Sequence, residues 1–247
     1  MNPIYRQTFT LDDMSVDCFG RLKLSSLLFM AQEVAGHHSD LLGADYNTLS
    51  RQRLFWAVTR HRVQITRLPL RGETVTVETW PMPTTRVAYP RSMVAFDRNG
   101  NELFRSISLW VLMDIDNRSM VLPGKSGVTV EGTLTGSELA APHSLIPKPM
   151  ANSADRAVTY SCLDRNLHMN NTRYMDWVDD LLSGSFHMGH TAREFIICYL
   201  NEAREGQHIH LEWEMSEEGC LQVNAHRENT DVSGKKDRIF SAQVLYG

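Results

Sequence analysis

The chain matches itself in two places, and this internal repeat limits it to a fold made of two like units. At an offset of 144 residues, Cys18-Phe19-Gly20-Arg21-Leu22-Lys23-Leu24 falls on Cys162-Leu163-Asp164-Arg165-Asn166-Leu167-His168, with the cysteine and the arginine in common. Farther along, at an offset of 134, Arg71-Gly72-Glu73-Thr74-Val75-Thr76-Val77-Glu78 resembles Glu205-Gly206-Gln207-His208-Ile209-His210-Leu211-Glu212. Behind the first match, each copy has apolar residues three and four apart, the spacing of a helix that buries one face. In the first copy these are Leu24, Leu27, Leu28, Ala31, Val34 and Ala35, then His38 through Leu41 and Leu42, which predicts a long helix with Phe29 and Met30 in its core. In the second copy they are Tyr174, Trp177, Val178 and Leu181, the same stripe on a shorter helix.

Strands follow each helix. Thr74 to Trp80 alternates in polarity, and Arg91 to Phe96 with Leu103 to Asp114 makes a hairpin whose turn is Asp97-Arg98-Asn99-Gly100. In the second half, Ile209 to Met215 and Cys220 to His226 form a hairpin turning at Glu217-Glu218-Gly219, and Phe240 to Leu245 is a final strand. From 124 to 150 the chain is rich in Gly, Ser and Pro, as a surface connection should be. The expected organisation is therefore an α+β plan: a unit over 1–123, a linker over 124–150 and a unit over 151–247. In each unit an antiparallel sheet wraps a helix.

The second copy carries groups that the first lacks. In extended backbone, residues two apart project to one side, so Asp164, Asn166 and His168 form a row of carboxylate, amide and imidazole just ahead of a helix. Their partners at the offset of 144 are Gly20, Leu22 and Leu24, and Glu202 falls opposite Leu68 at the offset of 134. Asn170 and Asn171 are good helix caps and need no chemical role. His168 is different, because a cap needs no imidazole and histidine changes charge near neutral pH.

The run Asn166-x-His168-x-Asn170-Asn171-x-x-Tyr174-x-x-Trp177, joined about thirty residues later to Tyr199-Leu200-Asn201-Glu202, resembles the acyl-ACP thioesterases, a plant and bacterial family built as two fused hot-dog domains. The resemblance covers nearly the whole chain. It implies hydrolysis of the thioester between a fatty acyl chain and the phosphopantetheine arm of acyl carrier protein (ACP), without a cofactor or a metal. The first unit would house the acyl chain, and the second would carry the catalytic set Asp164, Asn166, His168 and Glu202. A thioester carbonyl needs a donor for its developing oxyanion and a base for water. Asn166 would polarise the carbonyl, aided by backbone N–H groups at the helix start. Glu202 and His168 would activate water, and Asp164 would orient its neighbours. One reading of the family places a cysteine nucleophile just after the glutamate. That position is Ala203 here, and alanine cannot attack, so either the water route operates or the protein is inactive. Rival readings on the same fold are an acyl-CoA thioesterase, an enoyl-thioester hydratase, or a non-catalytic acyl-binding protein. Against the last, an apolar tail gains nothing from four buried polar groups.

Other features point to less. Cys198, in Phe195-Ile196-Ile197-Cys198, reads as a small buried residue, and the four cysteines show no CxxC spacing. His37 and His38 are adjacent on a helix and face different ways. His208 and His210 share a strand face, but the sequence shows no carboxylate or third histidine at a matching spacing. A net charge of −4 disfavours nucleic acid and gives no general attraction to an acidic carrier. Between Thr48 and Gly72, however, six arginines (Arg51, Arg53, Arg60, Arg62, Arg67, Arg71) occur without Asp, Glu or Lys, a candidate docking patch for ACP. No apolar run approaches a membrane span, and Met1-Asn2-Pro3-Ile4-Tyr5-Arg6-Gln7 lacks the apolar core of a signal peptide, so the expected location is cytoplasmic. The fused halves would make a monomer self-sufficient, with a homodimer the alternative.

Overall fold

In the computed structural model the described residues are 3–227 and 237–247, so Met1 and Asn2 lie outside them. The chain divides into two compact units, Met1–Pro142 and His143–Gly247.

The first unit contains β1 (Tyr5–Thr10), α1 (Leu24–Leu41), α2 (Tyr46–Arg51), β2 (Leu54–Ile65), β3 (Thr74–Pro81), β4 (Tyr89–Phe96), β5 (Glu102–Asp114) and the short β6 (Met120–Val121). Its antiparallel sheet runs β1-β3-β4-β5-β2, with β6 against β5. The apolar stripe buries Leu24, Leu27, Leu28, Met30, Ala31, Val34, Ala35 and His38. Two residues expected to be buried, Phe29 as core and Leu41 in the stripe, depart from expectation. Phe29 lies on the opposite side of α1 and is exposed, as is Leu41 in the last turn. The Asn99-Gly100 turn forms as read, with Gly100 at a φ of 81° that suits glycine, and with the Asp97 carboxylate accepting from the Asn99 and Asn101 N–H groups.

The second unit contains β7 (Asn152–Ala157), α3 (Arg173–Asp179), α4 (Gly184–Gly189), β8 (Ala192–Tyr199), β9 (His208–Met215), β10 (Cys220–Arg227) and β11 (Asp237–Tyr246). Its order is β7-β9-β10-β11-β8, antiparallel throughout. This is the first sheet's topology again, with β7, β9, β10, β11 and β8 standing for β1, β3, β4, β5 and β2. The helix has only seven residues and ends before Leu181, so the stripe here is Tyr174, Met175, Trp177 and Val178. Tyr174 sits 4.8 Å from Phe240 and 5.9 Å from Tyr199, ring to ring, which seats α3 on β11 and β8.

The glycine-rich connection is irregular, but it is fastened down well past residue 123. Val128 and Val130 pack on the Leu49, Leu54, Tyr89 and Leu112 cluster, and the Thr133 N–H donates to the Pro81 carbonyl. Glu138 accepts from Trp80 Nε1 and from the backbone of Thr135 and Gly136. Partial burial pushes the Glu138 carboxyl up, but those donors outweigh it and hold it at about 2.

Candidate active site

The residues expected to form an extended row sit instead on a tight turn. Leu163 and Met169 form an antiparallel bridge, the Asp164 N–H donates to the His168 carbonyl, and Leu167 N–H donates to the Asp164 carbonyl. The Asp164 carboxylate accepts from the Asn166 N–H at 2.8 Å, and Leu167 takes the left-handed region at a φ of 62°. Asp164, Asn166 and His168 therefore do not line one face: Asn166 is exposed, Asp164 half-buried and His168 buried.

The first unit has the same turn, which corrects the register of the repeat. Val16 bridges Leu22, the Asp17 N–H donates to the Arg21 carbonyl, Gly20 N–H donates to the Asp17 carbonyl, and Asp17 Oδ1 accepts from Phe19 N–H. Gly20 is left-handed at a φ of 75°. The true offset is thus 147, so Asp164 matches Asp17, Asn166 matches Phe19, Leu167 matches Gly20, and His168 matches Arg21. The buried positions Leu27, Leu28, Met30 and Ala31 then fall on Tyr174, Met175, Trp177 and Val178. The offset of 134 holds for the strands: the Leu22 N–H donates to the Pro69 carbonyl as Met169 N–H donates to the Ala203 carbonyl. The carboxylate of the turn is common to both units, so Asp164 is first of all a turn former. What the second unit adds is Asn166, His168 and Glu202, in place of Phe19, Arg21 and Leu68.

His168 and Glu202 are brought together. His168 Nε2 lies 2.9 Å from Glu202 Oε2, with side-chain exposures of 10 % and 37 %, so the imidazole is sheltered while water reaches the carboxylate. Two backbone devices hold this pair. The Met169 to Ala203 hydrogen bond, at 2.8 Å, ties the turn to the glutamate segment, and Arg227 Nη1 donates to the Glu202 carbonyl at 3.1 Å while Arg227 also pairs with Asp237. Arg204 Nη2 stands 3.8 Å from Glu202 Oε2 at the surface. Beneath, Tyr174 is buried, which pushes its hydroxyl well above the usual range despite a backbone hydrogen bond at Ala203, so the phenol stays neutral. Ala203 itself is fully buried.

The asparagine cap is resolved as well: Asn170 Oδ1 accepts from the Thr172 N–H and hydroxyl, and Thr172, not Asn170 or Asn171, is the residue at the helix boundary. With that N–H so engaged and only seven residues in α3, the helix start is a weak second donor. Cys198 is buried, its thiol directed to the His143 carbonyl at 3.7 Å. His37 meets Gln7 at the surface, whereas His38 is buried beside Arg91 and stacked on Tyr5. His210 meets Asp155 of β7 and stands with His226 of β10, and, against expectation, its own strand also supplies a carboxylate at the matching spacing, Glu212 two residues along. Three of the six arginines of the patch are paired with carboxylates, two of them from distant parts of the chain. Arg53 pairs with Asp116, Arg67 with Glu73, and Arg71 with Asp13, while Arg60 and Arg62 reach the carbonyls of Pro142 and Ala140. Arg51 is exposed.

Residues 2–122 match the family described as the acyl-ACP thioesterase N-terminal domain, and residues 148–241 match its C-terminal domain. The chain is similar to the chloroplastic palmitoyl-acyl carrier protein thioesterase of Arabidopsis thaliana, at 26 % identity over 71 % of this chain and 46 % of that protein. It is 27 % identical to the chloroplastic dodecanoyl-[acyl-carrier-protein] hydrolase of Cinnamomum camphora, over 81 % of this chain and 56 % of that one. The chain thus spans about half the length of the curated relatives it matches. Among solved structures, an acyl-ACP thioesterase from Bacteroides thetaiotaomicron and the 12:0-ACP thioesterase of Umbellularia californica each superpose with a TM-score of 0.83. Both are 21 % identical, covering 100 % of this chain and 98 % of theirs, which establishes the fold as the expected pair of hot-dog units. Among the described residues, no helix is long and apolar enough to cross a membrane.

Proposed function

The chain belongs to the acyl-ACP thioesterase family, and from that premise we propose that it hydrolyses the thioester joining a fatty acyl chain to the phosphopantetheine arm of ACP. The observation that carries the reading is the His168–Glu202 pair, set by two backbone contacts on a turn that the first unit builds without either group. In this reaction the pair takes a proton from water, and the hydroxide attacks the thioester carbonyl carbon. Asn166, exposed on the turn, donates to the oxyanion of the tetrahedral intermediate. Collapse breaks the C–S bond and expels the pantetheine thiolate, which takes up the proton that the pair removed from water, leaving a free fatty acid and a thiol. His168 and Glu202 share that proton as one coupled unit. Asp164 acts through the turn, by holding the Asn166 N–H. The buried Cys198 takes no part, and the acyl chain belongs to the first unit.

The test is thiol release from matched acyl-ACP and acyl-CoA substrates of several chain lengths, for the native protein and for His168→Ala, Glu202→Ala and Cys198→Ala. The expected result is release from acyl-ACP that is lost in the first two variants and kept in the third. Faster release from acyl-CoA would change the carrier but keep the chemistry. No release from any thioester would overturn the assignment.

A further inference from the structure

Outside that site, the second sheet gathers a different set of groups. In the β9–β10 register His210 stands directly opposite His226, and in the β7–β9 register Asp155 stands directly opposite His210. Two residues along β9 on the same face is Glu212. The two imidazole rings are 5.1 Å apart between centroids, and one ligand-capable atom from each of His210, Glu212 and His226 falls within 4.8 Å of the others. We propose that His210, Glu212 and His226 bind a divalent transition-metal ion, with Asp155 orienting His210.

Four observations favour this site over a row of solvated strand residues. The donor set, two imidazoles and a carboxylate, suits zinc and its neighbours. His210 Nδ1 is 2.8 Å from Asp155 Oδ1, and a carboxylate on that nitrogen fixes the tautomer that leaves Nε2 for a metal. His226 is buried and anchored in the sheet, whereas His210 and Glu212 are half-buried. Atoms around a tetrahedral zinc with bonds of about 2.0–2.1 Å stand roughly 3.4 Å apart, so the two half-buried side chains must close by at most about 1.4 Å, which small χ rotations supply. Finally, the fold does not require these groups. In the first unit the positions of Asp155 and His210 are held by Thr8 and Thr76, likewise cross-strand partners, whose hydroxyls meet at 3.3 Å.

This inference does not rest on the hydrolase reading, and its test avoids activity. Native protein freed of metal by chelation is titrated with zinc alone by calorimetry, with the melting temperature followed in parallel. One equivalent should bind per chain, and a hundredfold excess over Kd should raise Tm by on the order of 5 °C. His210→Ala and Glu212→Gln, at half-buried positions that leave the core intact, should each weaken binding at least tenfold. Asp155→Asn should weaken it by about 10- to 100-fold. Absence of binding to the native protein overturns the site, and so does binding whose stoichiometry and affinity survive both ligand variants.

Discussion

If His168 and Glu202 share one proton, their removal must not be additive. The perturbation is a double-mutant cycle of His168→Gln, Glu202→Gln and the two together, which keeps side-chain size while removing the titrating groups. With Nε2 and Oε2 at 2.9 Å the two side chains meet directly, so removing either one changes the surroundings of the other. General acid–base catalysis contributes about 100- to 10,000-fold, so each single variant should lose kcat/KM by that factor, or about 3–5.5 kcal/mol of transition-state stabilisation. Independent groups would multiply in the double variant, to about 10,000-fold at the least. A coupled unit should instead leave the double variant close to the worse single one, as groups acting together do elsewhere. The assay is steady-state thiol release from acyl-ACP at substrate below KM, with the melting temperature as a check that all four proteins are folded. A multiplicative double variant would refute the shared-proton argument, and a Glu202→Gln enzyme of native rate would remove Glu202 from the chemistry altogether.

Three further outcomes follow from the rest of the fold. Burial lowers the His61 pKa from 6.5 to about 4, so the folded imidazole stays neutral at pH values where the unfolded chain already binds a proton. Stability is full above pH 6.5 and falls as pH drops through that window, by about 2 kcal/mol from this group between pH 6.5 and 5; urea unfolding should show the slope, and His61→Gln should reduce it by that share, leaving the part due to His38, which burial also lowers to about 4. A Cβ at Gly132 would overlap the Met82 backbone and strain the neighbouring Thr133–Pro81 hydrogen bond, so Gly132→Ala should cost about 1–3 kcal/mol and expose the segment to proteolysis, whereas an unchanged Tm would mean that the segment is not held there. Gly20→Ala meets no atom within 4 Å, so only the left-handed backbone opposes it, and a loss of about 1 kcal/mol is expected by calorimetry, against none if the turn can rearrange.

Much of this was legible where one signal decides the structure. The helical spacing located α1, and Asn99-Gly100 located its hairpin, because each rests on local backbone preference. Three strands that were not predicted, β1, β7 and β2, lack such a signal. β1 and β7 are polar edge strands with little buried surface, and β2 hides its alternation because the buried position between Arg60 and Arg62 is His61, satisfied by Ser106 Oγ at 3.0 Å. The row of Asp164, Asn166 and His168 was misread for a related reason. Period two assumes extended chain, and here the Asp164 carboxylate bends the chain onto its own N–H groups. The cluster at His210 was only partly legible, since Glu212 lies two residues along the same strand, whereas His226 and Asp155 come from strands whose register no single sequence displays. The arginine patch shows the same limit, because two of its pairing carboxylates are remote in sequence.

The repeat gives the strongest argument about how the site arises, once its register is taken from hydrogen bonds and not from shared letters. Cys18 and Cys162 matched by identity, yet the structurally equivalent residues are those that shape the turn: an aspartate that accepts the N–H two residues on, and a left-handed residue three after it. Glycine fills the left-handed position in the first unit and leucine in the second, where the conformation costs roughly 1–2 kcal/mol. The first unit uses its turn for an Arg21–Asp17 ion pair at 3.0 Å, closed on itself. In the second, histidine replaces that arginine and glutamate replaces Leu68, so the side chain leaving the turn finds its partner across the Met169–Ala203 contact instead. The same backbone thus supports a self-satisfied ion pair in one unit and an open, water-accessible pair in the other. Two side-chain changes on an unchanged frame account for the difference. Supplying Arg and Leu at positions 168 and 202 should therefore leave the second unit folded and the site inert.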